Sequence, residues 1–193
     1  MTRWWPPVAM AAMLVLGLAV RHGPTPVDSW FQALGRELGP YRRMFLLFTD
    51  WRWLTPVLLV AIVVVLWRRQ WWLAAAMAVS PPLAIAVARL CKHLFGREKG
   101  GALAYPSGHA TFVVVVMGMV LIAAGFAAWA VVVAVTISVL GMFGQAITHH
   151  YFTDTVGAAL LATSVVCVAY VLTRPTFDRC QPRCDVGHKR WLT

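Results

Sequence analysis

Charged residues are scarce in this chain, and acidic residues are the scarcest. Of 193 residues, 12% are charged, with seven Asp and Glu against 17 Lys and Arg. The charged residues cluster between long apolar runs. Hydrophobic residues make up 60% of the chain and its mean hydropathy is +0.70, whereas a soluble domain is about half apolar. The composition therefore excludes an ordinary soluble domain and favours a polytopic membrane protein with one compact helical domain.

The sequence also lacks the usual patterns of nucleic-acid binding, although its net charge is +10. It contains no basic helix, no basic strand interleaved with aromatic residues and no zinc-finger spacing. Basic residues that flank apolar runs more often face anionic lipid headgroups or set topology. We therefore expect membrane lipids and no nucleic acid as partners, and some of the basic residues remain candidates for binding an anionic substrate.

Cysteine is too rare here for a disulfide scaffold, with four residues in the whole chain. Cys91 and Cys167 lie at or inside apolar runs, where cysteine usually acts as a small packing residue. Cys180 and Cys184 lie near His188, but their spacing fits no zinc pattern well. We interpret residues 174–193 as a basic C-terminal tail and expect neither a metal nor a cofactor.

Six long apolar segments are present, each approaching the roughly 20 residues that a membrane-spanning helix needs. Because backbone polar groups in lipid must pair internally, these segments should be helices. The first is expected to be retained as a span, since no clear cleavage site follows it. We predict an all-α bundle of six transmembrane helices over residues 1–173. The segments are Trp4–Val20, Trp53–Trp67, Trp71–Leu90, His109–Ala124, Ala128–Thr148 and Thr155–Thr173. A start nearer Phe45 stays open for the second segment.

A short amphipathic helix is predicted between the first two spans, over Val27–Leu38. Asp28 is a plausible N-cap, and Trp30, Phe31 and Leu34 would lie on one apolar stripe. Such a helix would lie in the plane of the membrane interface.

Six spans would place both termini on one side of the membrane. Basic residues number eight on that side and nine on the other, so the positive-inside rule does not decide the orientation. If Lys92, Arg97 and Lys99 serve a substrate and are discounted, cytoplasmic termini are favoured. The richness in Ala, Val, Arg and Trp suggests a bacterial chain, and hence the inner membrane.

Three polar islands interrupt the apolar runs. They are Lys92–Lys99, Pro106–His109 and His150–Asp154. With six alternating spans, all three would share one membrane face, which would be the outer one. Polar groups beside a bilayer are costly and are usually kept there for function.

These islands resemble the three motifs of the type 2 phosphatidic acid phosphatase superfamily, which are integral-membrane lipid phosphatases. Pro106-Ser107-Gly108-His109 matches the second motif in full. Lys92 and Arg97 match cations of the first motif, and His150 and Asp154 match the His and Asp of the third. The resemblance, including the six-span plan, covers most of residues 1–173.

The chain departs from these motifs at two cations. Lys99-Gly100 stands where the family has Arg-Pro, and Phe143-Gly144 stands where it has Ser-Arg. Lysine keeps a positive charge but lacks the bidentate fork of arginine. Glycine supplies no charge. The phosphate would therefore be held more weakly, held by another cation, or not turned over efficiently.

The resemblance implies a role for each matched residue. His150 would attack phosphorus, because Asp154 one helical turn away would hold one ring nitrogen and leave the other free. His109 would protonate the leaving lipid oxygen. The remaining residues would hold the phosphate and stabilise its charge: Lys92, Arg97, Lys99, Ser107 and Gly108.

The predicted activity is therefore a metal-independent phosphatase, which hydrolyses a lipid phosphate or diphosphate through a phosphohistidine. Phosphatidic acid, phosphatidylglycerol phosphate and polyprenyl phosphates all belong to the implied substrate class. The alternative is a catalytically weak or inactive relative that binds lipid headgroups or serves as an assembly subunit. A homo-oligomer or an envelope-assembly partner stays open. A channel or transporter is less favoured, because the two halves show no internal symmetry.

Overall fold

The described part of the chain is all-α apart from one minimal β-hairpin. In the computed structural model, residues 4–180 are described, with side chains as far as Thr173. Cys184 and His188 of the predicted tail lie outside the described residues. Seven α-helices, a 3₁₀ segment and two short strands follow one another. They are α1 (Trp5–Val20), α2 (Pro26–Glu37), the 3₁₀ segment (Gly39–Thr49), α3 (Trp51–Trp67), α4 (Trp71–Phe95), β1 (Glu98–Lys99), β2 (Ala102–Leu103), α5 (Gly108–Ala123), α6 (Ala128–Ile147) and α7 (Phe152–Cys180).

Each of the six predicted apolar segments forms a helix. Among the residues that the structure describes, four helical stretches are long and apolar enough to cross a membrane, which indicates an integral membrane protein. They are Gly39–Trp67, Trp71–Phe95, Ala128–Ile147 and Phe152–Thr173. Helices α1 and α5 are also apolar but have 16 residues each, so each is about 24 Å long, against about 30 Å of hydrocarbon.

Helix ends follow local backbone chemistry. Helix α4 stops at Gly96, which adopts a left-handed conformation with φ of 61°, and glycine does so without a Cβ clash. Ser107 caps α5 by accepting a hydrogen bond from the Ala110 amide. The predicted N-cap of α2 was wrong: Thr25 is the N-cap, and Asp28 is its partner in a capping box. The Asp28 carboxylate accepts a hydrogen bond from the Thr25 amide and also contacts residues outside this helix.

Helix α5 lies at the centre of the bundle, where it packs against α3, α4, α6 and α7. Its Val113, Val115, Val116 and Met119 side chains are fully buried. The outer helices instead expose valine and leucine, such as Val60 and Val63 on α3. An apolar outer surface of this extent matches a lipid environment better than water.

Helix α2 lies across the end of the bundle where α6 ends and α7 begins. Phe31 stacks on Phe152 with ring centroids 4.4 Å apart. The Gln32 side-chain amide donates to the carbonyls of Ala146 and His150 at 2.6 and 3.0 Å. The predicted amphipathic helix is therefore present and covers one end of the bundle, while Trp30 on its stripe is 60% exposed.

The 3₁₀ segment was not predicted. It lies directly against α6, because Gly144 leaves no side chain between the two backbones. A Cβ at position 144 would lie 2.7 Å from the carbonyl carbon, the carbonyl oxygen and the Cβ of Phe45. Gly144 is therefore a packing residue at this contact.

We expect Gly144→Ala to destabilise the fold by about 1–3 kcal/mol, because backbone atoms of Phe45 cannot rotate away from the added methyl group. The measurement is the midpoint of thermal unfolding in detergent. Gly108→Ala is the control, since its Cβ would meet only Ile85 Cδ1, at 4.0 Å. Equal midpoints for the two variants would contradict the close contact at Gly144.

Candidate functional site

A cavity of about 680 Å³ opens at the end of the bundle where α4 and α6 end and where α5 and α7 begin. Apolar groups, including Trp51, Ile85 and Phe112, form part of its wall. No acidic side chain is found among the described residues that line it. Its cationic and titratable lining residues are Arg89, Lys92, Lys99, His109, His149 and His150. The cavity therefore suits an anionic group attached to an apolar body.

The three predicted islands meet at this cavity. The Ser107 amide donates to the Asp154 carbonyl at 3.1 Å, which joins the start of α5 to the start of α7. The Lys99 ammonium donates to the His150 carbonyl at 2.7 Å. Residues that are up to 51 positions apart in the chain thus touch directly.

A β-hairpin carries Lys99 into the site. Strand β1 pairs with β2 in antiparallel register, with Lys99 opposite Ala102. Gly100 and Gly101 form the two-residue turn, both with positive φ of 60° and 79°, as the turn of a tight hairpin requires. Lys92 holds the second strand by donating to the Leu103 carbonyl at 2.8 Å. The Gly-Gly pair was the available sequence signal, and it explains why a glycine follows Lys99.

The charge of Lys99 is sensitive to its surroundings. Burial lowers the pKa of its ammonium to about 8, although the nearby carboxylates of Asp154 and Asp28 oppose that shift. Its Nζ also lies 4.8 Å from the centre of the Tyr151 ring. Lys99 is therefore a cation at neutral pH and loses its charge in mildly alkaline solution.

His150 is held between Asp154 and the cavity. Its Nδ1 is buried without a hydrogen-bond partner and lies 3.6 Å from Asp154 Oδ2. That separation is slightly too long for a hydrogen bond, although such contacts often tighten when a ligand binds. Since Nδ1 faces the carboxylate, Nε2 is the nitrogen available to a ligand.

Arg97 lies behind the cavity and is 1% exposed. It was predicted to bind phosphate, but it is not among the lining residues. Its Nη1 donates to Asp154 Oδ1 at 2.6 Å, and its Nη2 donates to Asp28 Oδ2 at 2.8 Å. Further acceptors are Thr153 Oγ1 and the Gly23 carbonyl. In this arrangement Arg97 orients the carboxylate that faces His150.

Asp28 also belongs to the site, although it was not predicted there. It is completely buried, and it accepts hydrogen bonds from the amide and hydroxyl of Thr153 as well as from Arg97. Burial alone would raise the pKa of this carboxyl, but the hydrogen bonds from Thr153, Thr25 and Arg97 lower it. The residues around Asp28 in the sequence indicate only a helix cap, and nothing in them predicts a contact with Arg97.

The start of α5 offers backbone donors to the cavity. His109 and Gly108 both line it, and neither amide donates to a backbone carbonyl among residues 4–180. Amides in the first turn of a helix favour anions. Ser107 is fully buried as the helix cap, so it supports this turn and does not line the cavity.

The structure leaves no room for a side chain at Gly144, where the lipid phosphatases have an arginine. Phe45 occupies the space that a side chain there would need, so no arginine could reach the cavity from this point. His149, which matches no residue of the three motifs, also lines the cavity. Burial, together with the neighbouring charges of His150, Lys99, Arg42 and Arg43, lowers its pKa, so His149 is neutral at pH 7.

Within the described part of the chain, no three His, Cys, Asp or Glu side chains are grouped closely enough to hold a metal ion. No protein-family model, curated protein or solved structure matches the chain. The resemblance to the lipid phosphatases therefore rests on the motif residues themselves.

We expect Asp28→Asn to lower the free energy of unfolding by about 1–3 kcal/mol near neutral pH, because Arg97 keeps its buried charge with one carboxylate fewer. The native pKa of Asp28 lies below its ordinary 3.8. Its stabilising contribution is therefore present above that value and is lost as pH falls towards the native pKa.

The difference in unfolding midpoint between Asp28→Asn and the unmodified protein should accordingly narrow on acidification to about pH 3. Glu37→Gln is the control, because Glu37 is an exposed acid on the same helix. If the difference in unfolding midpoint were the same near neutral pH and at about pH 3, the ionised Asp28 carboxylate would not be stabilising the fold.

Proposed function

We propose that this protein is a lipid phosphatase that hydrolyses a lipid phosphate or diphosphate through a phosphohistidine. The observation that carries the proposal is the cavity itself, which His109, His150, Lys92 and Lys99 line together. Asp154 lies behind His150, on the side away from the ligand. The motif resemblance supports the same reading of the same residues.

The chemistry proceeds in two displacements. His150 Nε2 attacks phosphorus while the bond from phosphorus to the leaving oxygen breaks, and His109 donates a proton to that oxygen. Water then attacks the phosphohistidine, giving its proton to His109, and the nitrogen–phosphorus bond breaks to release inorganic phosphate. Lys92, Lys99 and the amides of Gly108 and His109 stabilise the charge on the transferring group.

The apolar wall of the cavity supports a lipid substrate. Ile85 and Ala88 on α4, Phe112 on α5 and Trp51 at the start of α3 line the same space as the cations. An anionic headgroup can contact the cations while its hydrocarbon chain contacts this wall. A small soluble phosphate ester would leave that apolar surface unused.

We also propose that all six apolar helices cross the membrane, with the cavity facing outward and both termini in the cytoplasm of a bacterial cell. The shorter α1 and α5 support this arrangement because α1 packs along α7 and α5 lies at the bundle centre. A span shorter than the bilayer is accommodated by local thinning at modest cost. The domain then covers residues 1–173, while α7 continues to Cys180.

A second candidate function is headgroup binding without turnover. The observation that favours it is the loss of two motif guanidinium groups, since Lys99 replaces one of them with an ammonium and position 144 has no room for the other. Arg97 does not compensate, because it is bound to carboxylates. Lysine side chains and helix amides are sufficient to bind phosphate. Catalysis requires cations that bind the transition state more strongly than the bound substrate.

We expect His150→Ala to lower phosphate release from lipid phosphates by at least about a thousandfold, because the attacking nitrogen is lost. The assay uses the purified chain with phosphatidic acid, phosphatidylglycerol phosphate and polyprenyl phosphates. His93→Ala is the control, since His93 is exposed and lies outside the cavity lining. Tight binding with no release by the unmodified protein would favour the second candidate function instead.

We expect the affinity for inorganic phosphate to fall as pH rises through about 8, because Lys99 loses its proton there. The fall should approach tenfold per pH unit at most, roughly. In Lys99→Arg the guanidinium stays charged, so the alkaline loss should disappear. Calorimetric titration with phosphate at several pH values measures this, and the same slope in both proteins would contradict a role for the Lys99 charge.

A further inference from the structure

Arg89 is a cation at the cavity that the proposed reaction does not use. It is an exposed residue of α4 and lines the cavity one helical turn before Lys92. Within the described residues it has no ion pair and no side-chain hydrogen bond. Arg97 is bound to carboxylates behind the cavity. Among the described residues that line the cavity, Arg89 is therefore the one that carries a guanidinium group.

The position of Arg89 along α4 distinguishes it from Lys92. Helix α4 ends beside the hairpin at Phe95, so Arg89 lies roughly 4.5 Å further from the open end than Lys92. At that depth its neighbours in the cavity wall are Ala88 and Ile85. A charged group beside an apolar wall in a membrane is costly and is usually kept for a partner.

A bound lipid would point its terminal phosphate towards Lys92 and Lys99 and its hydrocarbon chain towards the apolar wall. The group between them would lie beside Arg89. In a polyprenyl monophosphate that group is the first carbon of the chain, which offers Arg89 nothing to bind. In a lipid diphosphate it is the inner, ester-linked phosphate, which guanidinium binds well.

The positive charge of the cavity lining also favours a diphosphate over a monophosphate. Lys92, Lys99 and Arg89 provide three positive charges when Lys99 is protonated, and no acidic side chain lines the described cavity. A phosphate monoester carries about −1.5 to −2 near neutral pH. A monophosphate would leave part of this cationic charge unmatched, whereas the second phosphate of a diphosphate adds the missing negative charge.

We propose that Arg89 binds the inner phosphate of a lipid diphosphate and thereby selects diphosphates over monophosphates. The proposal rests on the phosphatase function proposed above. His150 forms a bond to the outer phosphorus as the bond from that phosphorus to the bridging oxygen breaks. The leaving group is the lipid monophosphate, and Arg89 stabilises the negative charge that develops on it. Water then releases the outer phosphate from His150.

The test compares kcat/KM for a polyprenyl diphosphate and the monophosphate of the same chain length. Arg89→Gln should lower the value for the diphosphate by about tenfold or more and change the value for the monophosphate by less than about threefold. Arg89→Lys should recover part of the loss. Arg52→Gln is the control, because Arg52 is exposed near the same end of the bundle and lies outside the cavity lining.

Equal losses on both substrates, or no loss on either, would overturn the proposal and leave Arg89 as an interfacial residue that extends towards headgroups. Failure of the phosphatase function has a different signature, which is turnover that survives in His150→Ala or is absent from the unmodified protein. In that case a binding measurement, which needs no turnover, tests the role of Arg89. An alkyl methylenediphosphonate should bind the unmodified protein more tightly than the alkyl phosphonate, and Arg89→Gln should remove that preference. Equal affinity of the unmodified protein for both would also overturn it.

Discussion

The pairing of one buried arginine with two buried carboxylates is the interaction on which this end of the molecule depends. Arg97 follows α4, Asp28 belongs to α2 and Asp154 belongs to α7, so the ion pairs join three elements around the cavity. Removing such charges from water is expensive, and the cost is offset only when every donor and acceptor is well placed. The bonds to Thr153 and Gly23 help to meet that condition, although Arg97 Nε remains unpaired.

Because of this pairing, the cations at this site make two different kinds of contact. The guanidinium of Arg97 holds a carboxylate in place, and the ammonium groups of Lys92 and Lys99 face the cavity. The close contact between Gly144 and Phe45 has a related consequence. Packing of the 3₁₀ segment against α6 occupies the space from which another cation would otherwise reach the ligand.

Much of the helical fold was predictable, because apolar runs of membrane length can satisfy their backbone only as helices. The bounds were less predictable at polar ends: α4 continues past its predicted end at Leu90 to Phe95, and α7 begins at Phe152 rather than Thr155. The 3₁₀ segment was missed since its mixed polarity shows no clear period. The hairpin was missed despite its Gly-Gly turn, because two-residue strands have no alternation to detect.

The sequence by itself identified the histidines and cations that lie between the apolar runs, since polar residues there stand out by composition alone. It also determined the helices, because hydrophobic periodicity and backbone pairing act over a few neighbouring residues. Only the tertiary structure decided that Arg97 orients Asp154 and does not line the cavity, and that Asp28 completes its pairing. Those contacts join residues 57 and 69 positions apart. Which distant charges meet depends on how the helices pack, and that packing is the property of the whole bundle.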